Sequence, residues 1–227
     1  GTLSRATFDR DGHDATWSPD GRTIIYSSAR SGAPGTYRIR PGNAASVDSL
    51  FAHAEMAFTG AWTPDGQTIV TVAIASRDGV TSQDIAALPN GGRGPMRPIV
   101  ATRFLESHPT LSPDGRWLAY ASDQSGQQQV YVRPLDGDGD QLQVSQAGAT
   151  EPVWGPDGRE LFYRSVLEDR SELEVATLRL EPELASTGRR TLFSMADIVG
   201  TTPHANYSLS PDGRTFVMVR RSPATRI

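Results

Sequence analysis

Five copies of one hexamer constrain this chain more than anything else in it: WSPDGR at 17–22, WTPDGQ at 62–67, LSPDGR at 111–116, WGPDGR at 154–159 and LSPDGR at 209–214. Their prolines, Pro19, Pro64, Pro113, Pro156 and Pro211, are spaced by 45, 49, 43 and 55 residues. A recurrence in the forties marks a repeat architecture. Within each copy the residues have backbone tasks. Proline presets φ for the second position of a type I turn, Asp suits the third and can bond its own backbone, and Gly supplies the positive φ that follows. The hexamer therefore closes a tight hairpin with a bulge at its glycine.

The segments flanking each turn are just as regular. After it come TIIYS at 23, TIVTV at 68, WLAYA at 117, ELFYR at 160 and TFVMV at 215. Runs of three apolar or aromatic residues without polar alternation describe strands covered on both faces. Before each turn, two residues ahead of the proline, stand Trp17, Trp62, Leu111, Trp154 and Leu209. That column is expected to fill the space between neighbouring sheets, which puts Trp17, Trp62 and Trp154 in the core together with Tyr26, Tyr120 and Tyr163. Further strands are expected at 128–135 and 140–147, and no segment has the pattern of a long amphipathic helix. Units of about four short strands at this period predict an all-β chain, a β-propeller of four-stranded blades. A sandwich leaves the period unexplained, and a β-helix repeats at far shorter intervals.

Composition removes several function classes. The net charge is -4, and all 22 basic residues are Arg, scattered among acidic ones rather than gathered into a patch. A nucleic-acid surface needs clustered positive charge, so no nucleic-acid partner is expected. With no Cys, disulfide frameworks, thiolate metal sites and Cys nucleophiles are excluded. The longest apolar stretch, IVTVAIA at 69–75, falls far short of the ~20 residues of a membrane-spanning helix. No membrane insertion by this segment is expected.

Catalytic signatures are missing as well: there is no G-x-S-x-G elbow, H-E-x-x-H, Walker loop or kinase H-R-D/D-F-G pair. The histidines His13, His53, His108 and His204 sit at different offsets from their turns and form no repeated ligand set. DGDGDQ at 136–141 begins like a calcium loop, yet Gln141 stands at the tight-turn glycine position and Ala147 at that of the bidentate Glu. It reads as a solvated hairpin loop, and FDRDGHD at 8–14 reads likewise. The expectation is no enzyme, no metal and no cofactor. Each turn Asp, such as Asp114 or Asp157, is a turn residue, because a catalytic acid is needed once and a turn in every blade.

One column invites a functional reading. Five residues ahead of each turn proline stand Asp14, Thr59, His108, Glu151 and Asn206, all polar, at the start of the strand expected to be innermost in its blade. Innermost strands line the axis of a propeller, so these five are expected to ring one mouth of the channel, either as wet lining or as a ligand site. Asp14, Glu151 and His108 together favour a cation or an amine over a phosphate.

The five in-register turns resemble those of the TolB-like, WD-repeat-related propellers. Within that group, residues 103–135 and 149–165 resemble the propeller found C-terminal to the membrane helix of many bacterial transmembrane serine/threonine kinases. That resemblance implies a non-catalytic sensor or scaffold domain outside the cytoplasm, tethered through a membrane helix that this chain lacks. Its partner would be a protein or small ligand at the propeller axis or face. It further implies that 1–227 is a single propeller domain cut from a longer chain, that 1–9 is the outer strand of an earlier blade, and that the intact ring has six blades. Two alternatives stand beside it: a stand-alone periplasmic TolB-like scaffold, and the gating propeller of a prolyl-oligopeptidase-like hydrolase whose catalytic domain lies elsewhere.

Overall fold

The computed structural model describes residues 12–30, 35–52, 57–77, 80–137, 139–168, 170–200 and 205–221; the side chains of 44–46, 51–52, 57–59, 75–77 and 80 lie outside the description. The segment at 1–9 expected to be an outer strand falls outside it too, as do His53 and His204.

Each turn generates the strands on either side of it. In the first repeat the Gly21 amide donates to the Ser18 carbonyl at 2.9 Å, and the Ser18 amide donates to the Thr23 carbonyl at 2.8 Å. The same pair of bonds recurs at 63–68, 112–117, 155–160 and 210–215. Gly21, Gly66, Gly115, Gly158 and Gly213 all have φ between 66° and 73°, the left-handed region that a Cβ disfavours. The residue before each proline adds a part that the hexamer did not advertise. The Ser18 hydroxyl donates to Asp20 Oδ1 at 2.6 Å and accepts from the Thr23 amide at 3.0 Å, while the same carboxyl oxygen accepts from the Arg22 amide. Thr63, Ser112 and Ser210 repeat this relay with Asp65, Asp114 and Asp212. Gly155 has no hydroxyl, and Asp157 accepts from the Arg159 amide.

Contacts divide the chain into two compact units, residues 1–109 and 110–227. The first holds two sheets of four strands in sequential order, β1 (His13–Trp17), β2 (Ile24–Ser28), β3 (Gly35–Arg40) and β4 (Asn43–Ala52), then β5 (Ala57–Trp62), β6 (Ile69–Arg77), β7 (Val80–Leu88) and β8 (Arg97–Val100). Between β7 and β8 lies a single turn at Pro89–Gly92, in which Asn90 and Gly91 are left-handed. The boundary falls inside β9 (Glu106–Leu111), the first strand of a third sheet completed by β10 (Trp117–Ser122), β11 (Gln129–Pro134) and β12 (Leu142–Gln143). A fourth sheet contains β13 (Ala149–Trp154), β14 (Glu160–Leu167), β15 (Arg170–Arg179) and β16 (Ala185–Ser194), and β17 (Tyr207–Leu209) pairs with β18 (Phe216–Met218).

These sheets are the expected blades. Their second strands are the most deeply buried, with all of β2 and all but the first residue of β10 inside. Tyr26, Tyr120 and Tyr163 are at most 1% exposed, as the strand pattern predicts. Between the third and fourth sheets, Ala119, Val130 and Val132 meet Trp154 and Leu161. Two expectations fail. The strand at 140–147 is reduced to Leu142–Gln143, since polar Gln141, Gln143 and Gln146 leave that edge little apolar surface to bury. Trp17 is 55% exposed instead of buried, although Trp62 and Trp154 of the same column pack against the preceding sheet. A Trp in this column is buried only by a neighbouring sheet on its side.

Candidate functional site

The polar column is marked by its backbone. Asp14, His108 and Glu151 have φ of 54°, 53° and 56°, and among the described non-glycine residues only Asn90 and Glu168 are also positive. Left-handed backbone at such residues costs about 1–3 kcal/mol each and persists where surrounding structure enforces it. At Asp14 and Glu151 the enforcing feature is a bulge. His13 faces Ser27 and Thr16 faces Ile25, so Asp14 and Ala15 together oppose Tyr26. Likewise Glu151 and Pro152 oppose Tyr163, between the pairs Thr150–Arg164 and Val153–Phe162. An extra residue of this kind re-aims a side chain. In β5 the register shifts between Thr59 and Ala61. Thr59 pairs with Thr71 there, and its side chain lies outside the description. A β-carbon on Gly60 would sit 2.5 Å from the Val70 carbonyl oxygen.

In the first unit the Asp14 side chain is fully buried, with Oδ2 2.7 Å from Nδ1 of the half-exposed His13. His108 is 6% exposed, and its Nδ1 lies 2.9 Å from the Ser107 hydroxyl. Glu106, two residues earlier, is completely buried and accepts from the Thr102 hydroxyl at 2.5 Å.

In the second unit the structure brings Glu151 and Asn206 into direct contact: the Asn206 amide donates to Glu151 Oε2 at 2.9 Å. Arg164 of β14 completes the group. Its Nη1 lies 3.4 Å from Glu151 Oε1 and 3.1 Å from the Val199 carbonyl oxygen, its Nη2 donates to the Ile198 carbonyl, and its Nε donates to the Ser171 hydroxyl at 2.7 Å. The Tyr207 hydroxyl donates to the Glu151 backbone carbonyl at 2.8 Å. Burial raises the Glu151 carboxyl above its ordinary value despite the Asn206 amide and Arg164, which pull the other way. Burial also lifts the Tyr207 phenol well above its ordinary range.

Sequence reasoning missed Arg164, although a signal was there. The fifth position of the strand after each turn reads Ser27, Val72, Ala121, Arg164 and Val219, and only one of these is charged. A charge in an apolar column calls for a buried counter-charge, and Glu151 provides it.

The suspected calcium loop leaves Asp136 and Asp140 exposed, with Asp138 outside the description. Among the described residues no three acidic or histidine side chains gather as a metal would require. A groove of about 620 Å³ between the third and fourth turns is lined by Arg116, Arg159 and Arg179 together with Asp114, Asp157 and Glu181. Arg116 is already engaged there, 2.8 Å from Asp114 and 2.6 Å from Glu181.

Comparison with known structures settles the architecture. TolB from Acinetobacter baumannii superimposes over 92% of this chain with a TM-score of 0.69 at 18% identity, the match covering 48% of that protein. A structure from Agrobacterium tumefaciens provisionally assigned as TolB matches 96% of this chain and 77% of that one, with a TM-score of 0.70 and 23% identity. The fold is a TolB-like β-propeller. Sequence comparison agrees: the Tol-Pal system protein TolB of Bordetella pertussis is 32% identical over 130 residues, 54% of this chain and 27% of that protein. An uncharacterised protein of Agrobacterium fabrum is 28% identical over 172 residues, 71% of this chain and 54% of the relative. The chain thus spans about half the length of one curated relative and about a quarter of the other. No protein-family profile matches it. The same TolB-like architecture also serves enzymes, an oligogalacturonate lyase in complex with manganese having a TM-score of 0.64 at 18% identity. Fold alone therefore assigns no chemistry.

Proposed function

We propose that this chain is a non-catalytic binding propeller, a single domain that acts as a TolB-like scaffold for a protein partner outside the cytoplasm. The observation that carries the reading is the strained column: Asp14, His108 and Glu151 hold left-handed φ values near 55° and buried polar side chains. Backbone strain held at a polar position supports a functional constraint there. Asp14, Thr59, His108, Glu151 and Asn206 are the residues we assign to ligand contact. Their chemistry suits a basic or amine-bearing group on a partner more than an anion. Relatives named TolB support the scaffold over an enzyme. A sensor domain of a membrane-anchored kinase is the second reading, and it rests on the stretches at 103–135 and 149–165.

Isothermal titration with short basic peptides, acidic peptides and divalent cations tests the assignment. A variant combining Asp14→Asn, His108→Asn and Glu151→Gln removes the two carboxylates and the imidazole, with Asn at two of the left-handed positions it tolerates best, and circular dichroism checks its fold. Binding of a basic peptide by the parent, lost in the folded variant, supports the column as the contact site. Equal binding by both moves the site elsewhere, and preference for an acidic peptide reverses the assigned chemistry.

A further inference from the structure

The groove between the third and fourth turns is left with unequal charge once its internal pairs are set aside. It lies wholly inside the second unit, between the turns at 112–117 and 155–160 and against residues 177–181 at the end of β15. Its walls are fixed to each other. A β-carbon on Gly158 would lie 3.6 Å from Pro113, and the Leu178 amide donates to the Arg159 carbonyl at 2.7 Å. Arg116 spans the groove, donating from Nε to Asp114 on its own wall at 2.8 Å and from Nη1 to Glu181 on the other at 2.6 Å.

That one arginine commits two of the three lining carboxylates, and a cationic remainder follows. The Arg159 guanidinium has no hydrogen bond or ion pair among the described residues, since only its backbone amide serves the turn, donating to Asp157 Oδ1 at 2.9 Å. Arg179 turns to Glu183, whose carbonyl accepts its Nε at 3.3 Å and whose 84% exposed carboxylate lies 3.7 Å away. An exposed pair of that kind contributes little and yields readily to a better partner. Apolar surface lies beside these charges, with Pro113 and Pro156 on the walls and half-buried Leu180 packed on the core around Trp154. The matching groove between the first two turns, about 520 Å³, has different chemistry. Its one lining arginine, Arg38, is already 2.7 Å from Asp48, and Asp20 and Asp65 face it.

We propose that the groove of the second unit docks an acidic, extended segment of a protein partner. Arg159 receives one carboxylate, a second replaces Glu183 at Arg179, and an apolar side chain between them lies on Leu180 and the prolines. The planar fork of an arginine takes a carboxylate through two parallel N–H bonds, and pairs of arginines recognise acidic motifs in this way. A volume of about 620 Å³ walled by exposed residues suits a length of chain better than a small anion, which it would not enclose. The polar column takes no part in this.

Fluorescence anisotropy of a labelled peptide of alternating glutamate and leucine tests it, with the glutamine–leucine peptide and inorganic phosphate as competitors. Arg159 is exposed and its guanidinium is unpaired, so Arg159→Glu should leave the thermal melt unchanged and weaken binding by about tenfold or more, the loss of one charge-assisted pair. Arg179→Gln should weaken it about threefold, the scale of a solvent-exposed pair. Arg214→Glu makes the same charge change at the same position of the last turn, outside the groove, and should bind as the parent does. Binding that follows Arg159 in this way belongs to the groove. Absence of binding by the parent, equal competition by the glutamine peptide, or equal loss in Arg214→Glu overturns the proposal. Displacement by phosphate at the peptide's own concentration overturns it in favour of a simple anion site. Binding kept in Arg159→Glu but lost with Asp14→Asn, His108→Asn and Glu151→Gln overturns it in favour of the column.

Discussion

Replacing Arg164 by Met isolates the buried ion pair of the second unit. The guanidinium serves the Ser171 hydroxyl, the Ile198 and Val199 carbonyls and the Glu151 carboxylate, and its side chain is 10% exposed. Met fills similar volume but serves none of them, leaving Glu151 buried with Asn206 as its remaining donor. Removing one partner of a buried pair costs about 3–5 kcal/mol. At roughly 2–4 °C per kcal/mol for a chain of this size, a cost near 4 kcal/mol lowers Tm by about 8–16 °C. Glu151→Gln should be much milder, because Arg164 keeps three neutral acceptors. The double variant should lie well above the sum of the singles. The pH dependence supplies a second signature. Glu151 holds its proton more tightly folded than unfolded, so its contribution to stability is full below the unfolded pKa of about 4.5 and is lost as pH rises through the folded value. Without the Arg164 charge the folded value climbs further, so Arg164→Met should lose more stability than the parent between pH 5 and 7, and Glu151→Gln should remove this component. Urea titrations at both pH values read all of this. A cost below 1 kcal/mol for Arg164→Met, or an unchanged pH slope, would refute the reasoning.

Further outcomes are expected elsewhere. Ser112→Ala removes the acceptor of the Trp117 amide and a donor to Asp114, and should cost about 1 kcal/mol in urea unfolding, since a partly buried amide loses its partner. Gly60→Ala would press a β-carbon against the Val70 carbonyl oxygen at 2.5 Å and Pro109 Cγ at 2.8 Å; a loss of about 1–3 kcal/mol is expected from overpacking, and a neutral result by thermal melting would contradict the close approach. The turn carboxylates respond to acid in the opposite sense to Glu151. The hydroxyls of Ser18, Thr63 and Ser210 hold Asp20, Asp65 and Asp212 below their ordinary values, and at Asp114 the Ser112 and Arg116 bonds outweigh an opposing burial effect. Their contribution is present above pH 3.8, the ordinary Asp value, and is lost as pH falls through the lower folded values. Melting between pH 5 and 2 should therefore show Tm falling, less steeply in Asp65→Asn.

The propeller was legible because its cause is local. Six residues dictate the turn, and the turn dictates which residues of the next strand face inward, so Tyr26, Tyr120 and Tyr163 could be placed by counting. The polar column could be found the same way, but not its conformation, since a left-handed Glu151 depends on the register of two strands. Arg164 is separated from Glu151 by a turn and a bulge, and only the assembled sheet shows that they meet. Trp17 misled because a residue shared by a column is buried only if its neighbouring sheet is there, and the column itself carries no such information.

In four of the five turns the relay of hydroxyl, carboxylate and two amides is made by residues of the turn itself. Length changes can then be placed in the connections without disturbing the turns, which is how spacings from 43 to 55 residues coexist with one turn geometry. The turns behave as standardised joints and the connections as adjustable spacers. A tag, a cut or a grafted loop is accordingly best placed in a connection and not within a hexamer.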